Sequence, residues 1–401
     1  MLLPLFPVAV LALASSLQAG DSVPRSGRTQ LPGWLAKSYL GVGAGYLNQP
    51  FSNQHLAPGF RATSIEAPNL GLRVVVGHRL TERLALQASL TRPSRPVRYR
   101  DLDADRADHS VWLEGLTGLT AKLTLPVANR LSVTGEVGLG LIARSGFAVD
   151  GRAVVEDASY ATVLAGIGAE YRLTGNWSLD AAAIAVPGRG AVRQPRTVAI
   201  AAGPTFRPRR LSPERVEANA RAAVAFPRRI LQVGIASNAL GYGANRVVSR
   251  GGVLPIFWGG EVEVERGFAL RYLVNTFHSR RLLAVDVGAS ASYWASRGSG
   301  EGIVTLSIFP LLRLIPIRTR TADWYAYYSA AGPTMISREV VDGVDTGTRF
   351  TFQDLMGVGV QAGKQRRLNL DIGIGHYSNG NIFPDNGGVK IPLTFSVGWA
   401  F

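Results

Sequence analysis

Cysteine is absent from the 401 residues of the chain. A disulfide framework, a zinc–thiolate site, a thiol nucleophile and a lipid anchor on an N-terminal cysteine are therefore excluded. Charged residues are scarce, at 18% against about 25% in soluble domains, while apolar residues make up 46%, which excludes intrinsic disorder. Beyond the N-terminus, no apolar run reaches the ~18 residues that a membrane-spanning helix needs. A chain with this composition and 46 glycines is typical of a transmembrane β-barrel.

Basic residues outnumber acidic ones, with 43 Lys and Arg against 28 Asp and Glu and a formal net charge of +15. The basic residues are scattered along the chain, and no zinc-finger, RNP or basic-helix pattern accompanies them. We therefore expect no nucleic-acid partner. A basic surface that faces the phosphates of lipid is the better interpretation.

Residues 1–19 resemble a secretory signal peptide, because an apolar run ends in small residues before Gly20. The run is short and is interrupted by Pro4 and Pro7, which argues against a membrane or buried helix. It departs from a usual signal in carrying no Lys or Arg and in having Leu17 where a small residue is preferred. The exported chain is expected to begin near Gly20.

The C-terminal segment alternates between two kinds of side chain. Large apolar residues occupy every second position from Ile391 to Phe401, and the positions between them hold small residues or proline. This pattern suits a strand that faces lipid on one side and the crowded interior of a narrow barrel on the other. The terminal Phe401 resembles the closing signature of bacterial outer-membrane barrels, which implies the barrel-assembly machinery as a partner.

The same period of two recurs upstream in eight segments before residue 207 and in eight or nine segments from residue 229 onward. These lie near residues 37–48, 69–80, 82–92, 110–125, 130–144, 158–172, 176–187 and 196–206, and then near 229–239, 255–265, 268–278, 282–294, 303–316, 324–337, 350–362, 368–378 and 390–401. Polar turns are predicted between them, including the charged segment from Arg98 to Asp108. The aromatic cluster Trp324, Tyr325, Tyr327 and Tyr328 is interpreted as part of an interfacial girdle.

The predicted fold class is all-β, with two tandem antiparallel transmembrane β-barrels of about eight strands each. The domains predicted after the signal peptide are a first barrel at 37–206, a basic linker at 207–228 and a second barrel at 229–401. The linker region is rich in arginine, and Ser212 followed by Pro213 could start a short helix. It could be a solvated connector or an anchor on anionic lipid. A single porin-like barrel of about sixteen strands is the alternative architecture.

The first half resembles small OmpA-type barrels, which implies a structural or adhesive role more than a pore. Side chains of both signs are predicted to point inward and to fill its lumen with salt bridges. They are Arg73, Glu114, Lys122, Glu136, Glu170 and Asp180.

One stretch contains residues that could act together in catalysis. His376 and Ser378 lie two apart, so they share one face of a predicted strand, where the imidazole could activate the hydroxyl as a general base. That face also holds Leu368, Leu370 and Ile372 and is predicted to face lipid, so the pair is placed to attack an ester in a lipid. The alternative is that the strand has reached the headgroup region and turned polar.

Residues 229–401 resemble the PagL-type lipid A 3-O-deacylases of the bacterial outer membrane. The match rests on His376-Tyr377-Ser378-Asn379, on the Pro384–Gly387 segment and on the Phe350–Asp354 segment of the preceding strand. The resemblance implies that Ser378 is the nucleophile and His376 the general base. It also implies that the backbone N–H of Asn379, with a donor from the Phe350–Phe352 region, forms the oxyanion hole. Phe350 and Phe352 would contact the substrate, and no metal or organic cofactor is implied.

The chain departs from the family at one position. Lys390 stands where the family has the glutamate that orients the histidine, and lysine cannot hold the imidazole tautomer. Asp385, or Asp354 on the neighbouring strand, could substitute, and Asp354 has the better strand parity with Phe350 and Phe352, whereas Asp371 is predicted to point into the lumen. Lys390 could instead bind a phosphate of lipid A.

Two functions remain open from the sequence. The first is an outer-membrane serine esterase that removes an ester-linked acyl chain from lipid A or a related glycolipid. The alternative is an inactive structural or adhesive barrel that kept the serine and histidine but lost the acid.

Overall fold

A computed structural model of the chain describes residues 28–221, 226–250, 260–280, 282–380 and 385–401. The predicted signal peptide lies outside these residues. Within them, no helix is both long enough and apolar enough to cross a membrane. The chain divides into two compact units, one built mainly from residues 37–209 and the other mainly from residues 28–36, 210–378 and 387–401.

The first barrel closes with eight antiparallel strands in the order β6-β4-β3-β1-β12-β11-β10-β7, because β7 pairs back with β6. Two further strands, β5 and β2, extend the sheet from β6, and β8 pairs with β9 as a separate hairpin. The strands are β1 (Ser38–Asn48), β2 (Ala62–Glu66), β3 (Leu70–Arg79), β4 (Leu84–Pro93), β5 (Val97–Leu102), β6 (His109–Pro126), β7 (Leu131–Ser145), β8 (Phe147–Val149), β9 (Arg152–Val155), β10 (Ala158–Arg172), β11 (Trp177–Val186) and β12 (Thr197–Phe206).

The second barrel closes with eight strands in the order β13-β14-β15-β16-β17-β20-β21-β22, because β22 pairs back with β13. A small hairpin of β18 and β19 lies in the loop between β17 and β20. The strands are β13 (Arg229–Ser237), β14 (Val262–His278), β15 (Leu283–Ser296), β16 (Gly302–Arg318), β17 (Ala322–Ile336), β18 (Val340–Val341), β19 (Val344–Asp345), β20 (Phe350–Ala362), β21 (Leu368–Ser378) and β22 (Val389–Ala400).

The predicted fold class is confirmed. The strand β12 pairs with β1 and β11, and β13 pairs with β14 and β22, so the strands that the structure describes form two separate closed sheets and not one large barrel. The predicted boundary between the segments near 255–265 and 268–278 was wrong, and residues 255–259 of the first segment lie outside the described residues. Residues 262–278 form the single long strand β14, with a bulge near Val264 that interrupts its alternation.

The segment from Arg98 to Asp108 was also wrong as a turn throughout. Its first part belongs to β5, which pairs with β2 and with the start of β6. Arginines alternate there with Val97 and Tyr99, both of which are buried in a small apolar core outside the barrel wall. The exposed arginines conceal this alternation when the sequence is inspected for charge alone.

The described residues include three short helices, α1 (Gly33–Lys37), α2 (Pro213–Ala220) and α3 (Gly243–Arg250), with single 3-10 turns at Asn53–His55, Gly190–Val192 and Asn238–Leu240. As predicted, the helix starts here: Ser212 occupies the N-cap position of α2, without a capping hydrogen bond from its side chain, and Pro213 is the first helical residue. The buried amide of Asn219 in α2 donates to the carbonyl of Thr29 (3.1 Å) and accepts from the backbone N–H of Arg280 (2.8 Å). Residues 28–36 and α2 therefore both pack on the second barrel.

Alternation in β22 is confirmed for most of the strand. Phe395 is 49% exposed, and Val397, Trp399 and Phe401 also face outward, whereas Thr394 is 2% exposed and faces the lumen with Ser396. Ile391 is an exception to the predicted outward face. A register irregularity between Gly373 and Gly375 sets Ile391 opposite Gly375, so its side chain packs in the interior.

The lumen of the second barrel is filled by polar side chains. Arg313 forms an ion pair with Asp286 (2.6 Å), and Asp371 lies inside as predicted, where the Tyr327 hydroxyl donates to it (3.2 Å). Tyr325 and Tyr327 are buried, so the interpretation of the aromatic cluster as a girdle was wrong for these two residues. Only every second residue of a strand reaches the outer surface.

The lumen of the first barrel holds the predicted mixture of charges. Arg73 and Glu136 form a buried ion pair (2.7 Å), and Glu136 also accepts hydrogen bonds from Gln87 (2.7 Å) and Thr120 (3.1 Å). Lys122 pairs with Asp180 (3.4 Å). Arg207 pairs with Glu170, and the side chain of Glu114 lies outside the described residues. A cavity of about 50 Å³ remains among these groups, so the described lumen is packed and not an open channel.

The buried ion pair gives a stability prediction. We expect Glu136→Gln to lower the free energy of unfolding of the first barrel by about 3–5 kcal/mol, because Arg73 is left as a buried charge without its counter-ion. Urea unfolding of the protein refolded in bilayers, followed by tryptophan fluorescence, measures the difference. The matched control is Glu82→Gln in the exposed β3–β4 turn, which should change stability by less than about 0.5 kcal/mol. Equal effects of the two changes would contradict the prediction.

Candidate active site

The residues predicted to carry chemistry lie at the end of β21. Tyr377 points into the lumen, where its hydroxyl accepts from the indole N–H of Trp294 (3.2 Å) and the amide of Gln353 (2.8 Å). Because side chains alternate along a strand, His376 and Ser378 project from the opposite, outward face. That face also carries Leu370 of the exposed apolar band.

The neighbouring strands complete a lateral row on this face. In the antiparallel register, Asp354 on β20 lies opposite His376, and Phe352 lies opposite Ser378. On the other side, Lys390 of β22 lies opposite His376. The flanked imidazole is buried, with 1% of His376 exposed, whereas Ser378 is partly exposed. A buried base beside an accessible hydroxyl is an arrangement that general-base catalysis can use.

Asp354 is the candidate acid beside the histidine. Its Oδ2 lies 3.5 Å from Nδ1 of His376, within ion-pair distance. Its Oδ1 accepts a hydrogen bond from the backbone N–H of Ala331 (2.7 Å). Ala331 has φ +52° and lies at the bulge of β17, which directs this N–H toward Asp354. The carboxylate is therefore fixed in position by backbone as well as by its own strand.

Lys390 is neutralised by an acid that the sequence did not reveal. Its Nζ lies 3.1 Å from Oε1 of Glu263, which also pairs with Arg297 (2.7 Å). A short parallel contact between β14 and β22 sets Glu263 directly opposite Lys390. The residues on the outer face therefore lie side by side in the order Asp354, His376, Lys390, Glu263. The anion Asp354 lies on one side of the histidine, and the cation Lys390, paired with Glu263, lies on the other. Glu263 precedes Lys390 by 127 residues, and no sequence motif connects the two.

The segment after β21 is tied together internally. The backbone N–H of Asn379 donates to Oδ1 of Asn386 (2.9 Å), and its side-chain amide donates to the carbonyl of Asp385 (2.8 Å). The N–H that the resemblance assigns to the oxyanion hole therefore has an acceptor within this segment. Asp385 is exposed and has φ +56°, and the structure shows its backbone carbonyl, not its carboxylate, in this contact.

Phe350 and Phe352 form an aromatic pair beside the row. Their rings meet edge to face, with centroids 5.2 Å apart, and both are partly exposed on the same side of β20 as Asp354. They offer an apolar surface next to Ser378, which suits contact with an acyl chain.

A second serine–histidine pair provides a useful contrast. Ser38 Oγ lies 3.1 Å from Nδ1 of His78 in the first barrel. The charges that act on His78 there are the cations Lys37 and Arg79. This pair has the same two residue types as Ser378 and His376, but cations lie beside its imidazole, whereas the carboxylate of Asp354 lies beside His376.

Two eight-stranded barrels with exposed apolar outer bands define an outer-membrane β-barrel protein. Comparison with family models supports this class for both halves. Residues 8–183 match the outer membrane protein beta-barrel domain, and residues 266–399 match the lipid A 3-O-deacylase (PagL) family. The predicted resemblance of the C-terminal half to that family and the predicted outer-membrane localisation are confirmed. No curated protein matches the chain.

Solved structures of small outer-membrane barrels are similar in fold. The outer membrane enzyme PagL is 16% identical, with 42% of this chain and 97% of that chain covered and a TM-score of 0.29. Neisserial surface protein A is 16% identical, with 43% and 97% covered and a TM-score of 0.28. The N-terminal barrel of Pseudomonas aeruginosa OprF is 16% identical, with 42% and 96% covered and a TM-score of 0.25.

Proposed function

We propose that the second barrel is a serine esterase that removes an ester-linked acyl chain from lipid A or a closely related glycolipid. The observation that carries the proposal is the outward row of Ser378, His376 and Asp354 within the region that matches the PagL family. The family match supports a lipid A deacylase type of hydrolase, and the row supplies the three groups that such chemistry uses.

The reaction follows from the positions of these groups. His376 takes the proton of Ser378 as its Oγ attacks the ester carbonyl, and then gives that proton to the departing sugar hydroxyl. The fatty acyl group remains on Ser378 until water, activated by the same imidazole, releases the free acid. Asp354 holds the imidazole tautomer and stabilises the imidazolium that forms in both steps. No step uses a metal or an organic cofactor.

The place of Lys390 is consistent with this assignment. Its ammonium is held by Glu263, which offsets the cation next to His376. In the family, an acid at the position of Lys390 orients the histidine. In this chain Asp354, on the opposite side of the imidazole, takes over that role. Lys390 remains close enough to the row to contact a phosphate of the glycolipid, at the expense of its pairing with Glu263.

The oxyanion needs a donor near Ser378. The backbone N–H of Asn379 can serve once the substrate oxygen replaces Oδ1 of Asn386 as its acceptor. Binding of substrate would thereby loosen the contact between Asn379 and Asn386.

The position of these catalytic groups on the outer wall of the barrel suits a substrate that lies in the membrane. The row lies at the end of a strand whose preceding outward residues are apolar, at the height where lipid headgroups begin. A glycolipid can therefore present its ester to Ser378 while its acyl chains stay in the membrane.

Lipid A from cells tests the proposal. Mass spectrometry of lipid A from a host that expresses the protein should show species that lack one 3-hydroxyacyl chain. Cells with the empty vector and cells with Ser378→Ala, at equal outer-membrane abundance, should lack those species. Unchanged lipid A in all three would favour the inactive structural or adhesive barrel.

A further inference from the structure

The second barrel has a rim of exposed cations at the end where its strands are joined by short turns, residues 279–282, 319–321 and 363–367. We call this set the basic rim. Its members are Arg228, Arg229, Arg280, Arg320, Lys364 and Arg367, all of them exposed.

The basic rim is not balanced by local acid. None of its members forms an ion pair with another described residue, and the acid of the neighbouring strand end, Asp323, is buried against Arg366 (2.9 Å). Helix α2, which packs beside Arg280, adds no net charge when Arg221 directly after it is included, because Glu214 and Glu217 are then matched by Arg215 and Arg221. Several like charges held on one rim repel one another unless a counter-charge approaches from outside.

Aromatic side chains fix the height of the basic rim relative to lipid. Trp324, Trp399 and Phe401 face outward and are about half exposed, as in the girdle that marks a membrane interface. Phe401 exchanges backbone hydrogen bonds with Arg229 (2.9 Å), and Trp399 lies opposite Leu368, the residue after Arg367. The cations therefore begin where the apolar band ends, at the level of lipid headgroups.

The opposite rim of the same barrel is different. Its exposed cations are largely matched by acids, as in the pairs of Arg338 with Glu301 (3.7 Å) and of Arg349 with Glu339 (3.8 Å). Long loops project from that end, including residues 337–349, and in bacterial outer-membrane barrels the short turns face the periplasm. The unmatched charge thus lies on the periplasmic side, away from the end that carries His376.

We propose that the basic rim binds the phosphate headgroups of anionic phospholipids in the periplasmic leaflet. Guanidinium groups bind phosphate through paired N–H donors, and basic clusters next to an apolar surface bind anionic membranes. Bound lipid would fix the depth and tilt of the second barrel. This inference does not depend on the proposed esterase activity.

Lipid selectivity tests this inference. The full-length protein is refolded into phosphatidylcholine vesicles that contain either spin-labelled phosphatidylglycerol or spin-labelled phosphatidylcholine, and the motionally restricted fraction is measured by EPR. We expect the wild type to prefer phosphatidylglycerol several-fold at low salt. Arg320→Gln, Lys364→Gln and Arg367→Gln combined should bring the preference close to one, since each cation contributes up to about five-fold.

The matched control removes three cations from the opposite rim: Arg266→Gln, Arg338→Gln and Arg349→Gln. It should retain the wild-type preference, and high salt should weaken the preference of the wild type through screening. Three results would overturn the proposal. They are no preference in the wild type, a preference that persists in the basic-rim variant, or an equal loss in the control variant.

Discussion

Ser378→Ala is expected to abolish release of 3-hydroxy fatty acid from purified lipid A, with a loss of about 10⁴–10⁶-fold. The hydroxyl is the only atom that can form the acyl intermediate in the proposed mechanism, and His376 has nothing to deprotonate without it. Ser378 lies at the end of β21 and is partly exposed, so the barrel should fold normally. Heat-modifiable migration on gels checks folding, and mass spectrometry of released fatty acid checks activity.

Ser38→Ala is the matched control for this change. It removes a serine hydroxyl that also lies next to a histidine, but in the first barrel, where the charges beside that histidine are the cations Lys37 and Arg79. Activity should be unaffected. Wild-type release of fatty acid by Ser378→Ala together with loss of that release in Ser38→Ala would contradict the proposal. The nucleophile would then lie in the first barrel and not in the second.

Asp354→Asn is expected to lower the rate of deacylation by about 10⁴-fold, the cost of losing the orienting acid in a serine hydrolase. The amide keeps the shape of the side chain, so the contact with the N–H of Ala331 can persist while the charge beside Nδ1 of His376 is lost. The effect should fall on kcat more than on KM, because Asp354 acts through the imidazole and does not bind the ester. Steady-state rates on purified lipid A in detergent separate the two constants.

Lys390→Glu sharpens the same test. It places a carboxylate where the family has one, but Asp354 already serves His376 and Glu263 would then face a like charge. We expect little change or a modest loss of activity. Wild-type release no greater than that of Ser378→Ala, with activity appearing only in Lys390→Glu, would show that Asp354 does not orient the histidine and that the natural protein is an inactive relative.

Period-two alternation was sufficient to predict most of the fold. Segments such as 350–362 and 368–378 were predicted at the limits that the structure shows, because each pairs an apolar outer face with small or polar inner residues. Prediction from alternation fails where charged outer residues conceal the pattern, as in β5, and where a bulge shifts the parity, as at Ile391. A bulge depends on how a strand pairs with its neighbours, so it cannot be predicted from the sequence of that strand alone.

The sequence could predict the part of the candidate site that lies within one strand, but not the contacts between strands. His376 and Ser378 share a strand, so their common face follows from spacing alone. Strand parity already favoured Asp354 over Asp385, but its position directly opposite His376 required the register of β20 against β21. The neutralisation of Lys390 by Glu263 required the parallel contact of β14 with β22, and no local pattern indicates it.

The contacts of residues 28–36 have a consequence for biogenesis. The Arg28 guanidinium donates to the carbonyls of Phe226 (3.2 Å) and Pro227 (3.3 Å) and to Asn275 (3.3 Å), all of them in the second unit. That unit is therefore discontinuous in the chain, and the first barrel is an insertion within it. Residues 28–36 precede β13 and β14 in the chain by the whole length of the first barrel, so Arg28 can make these contacts only after the later strands have been synthesised. A version of the second barrel made without residues 28–36 would lose this closing contact.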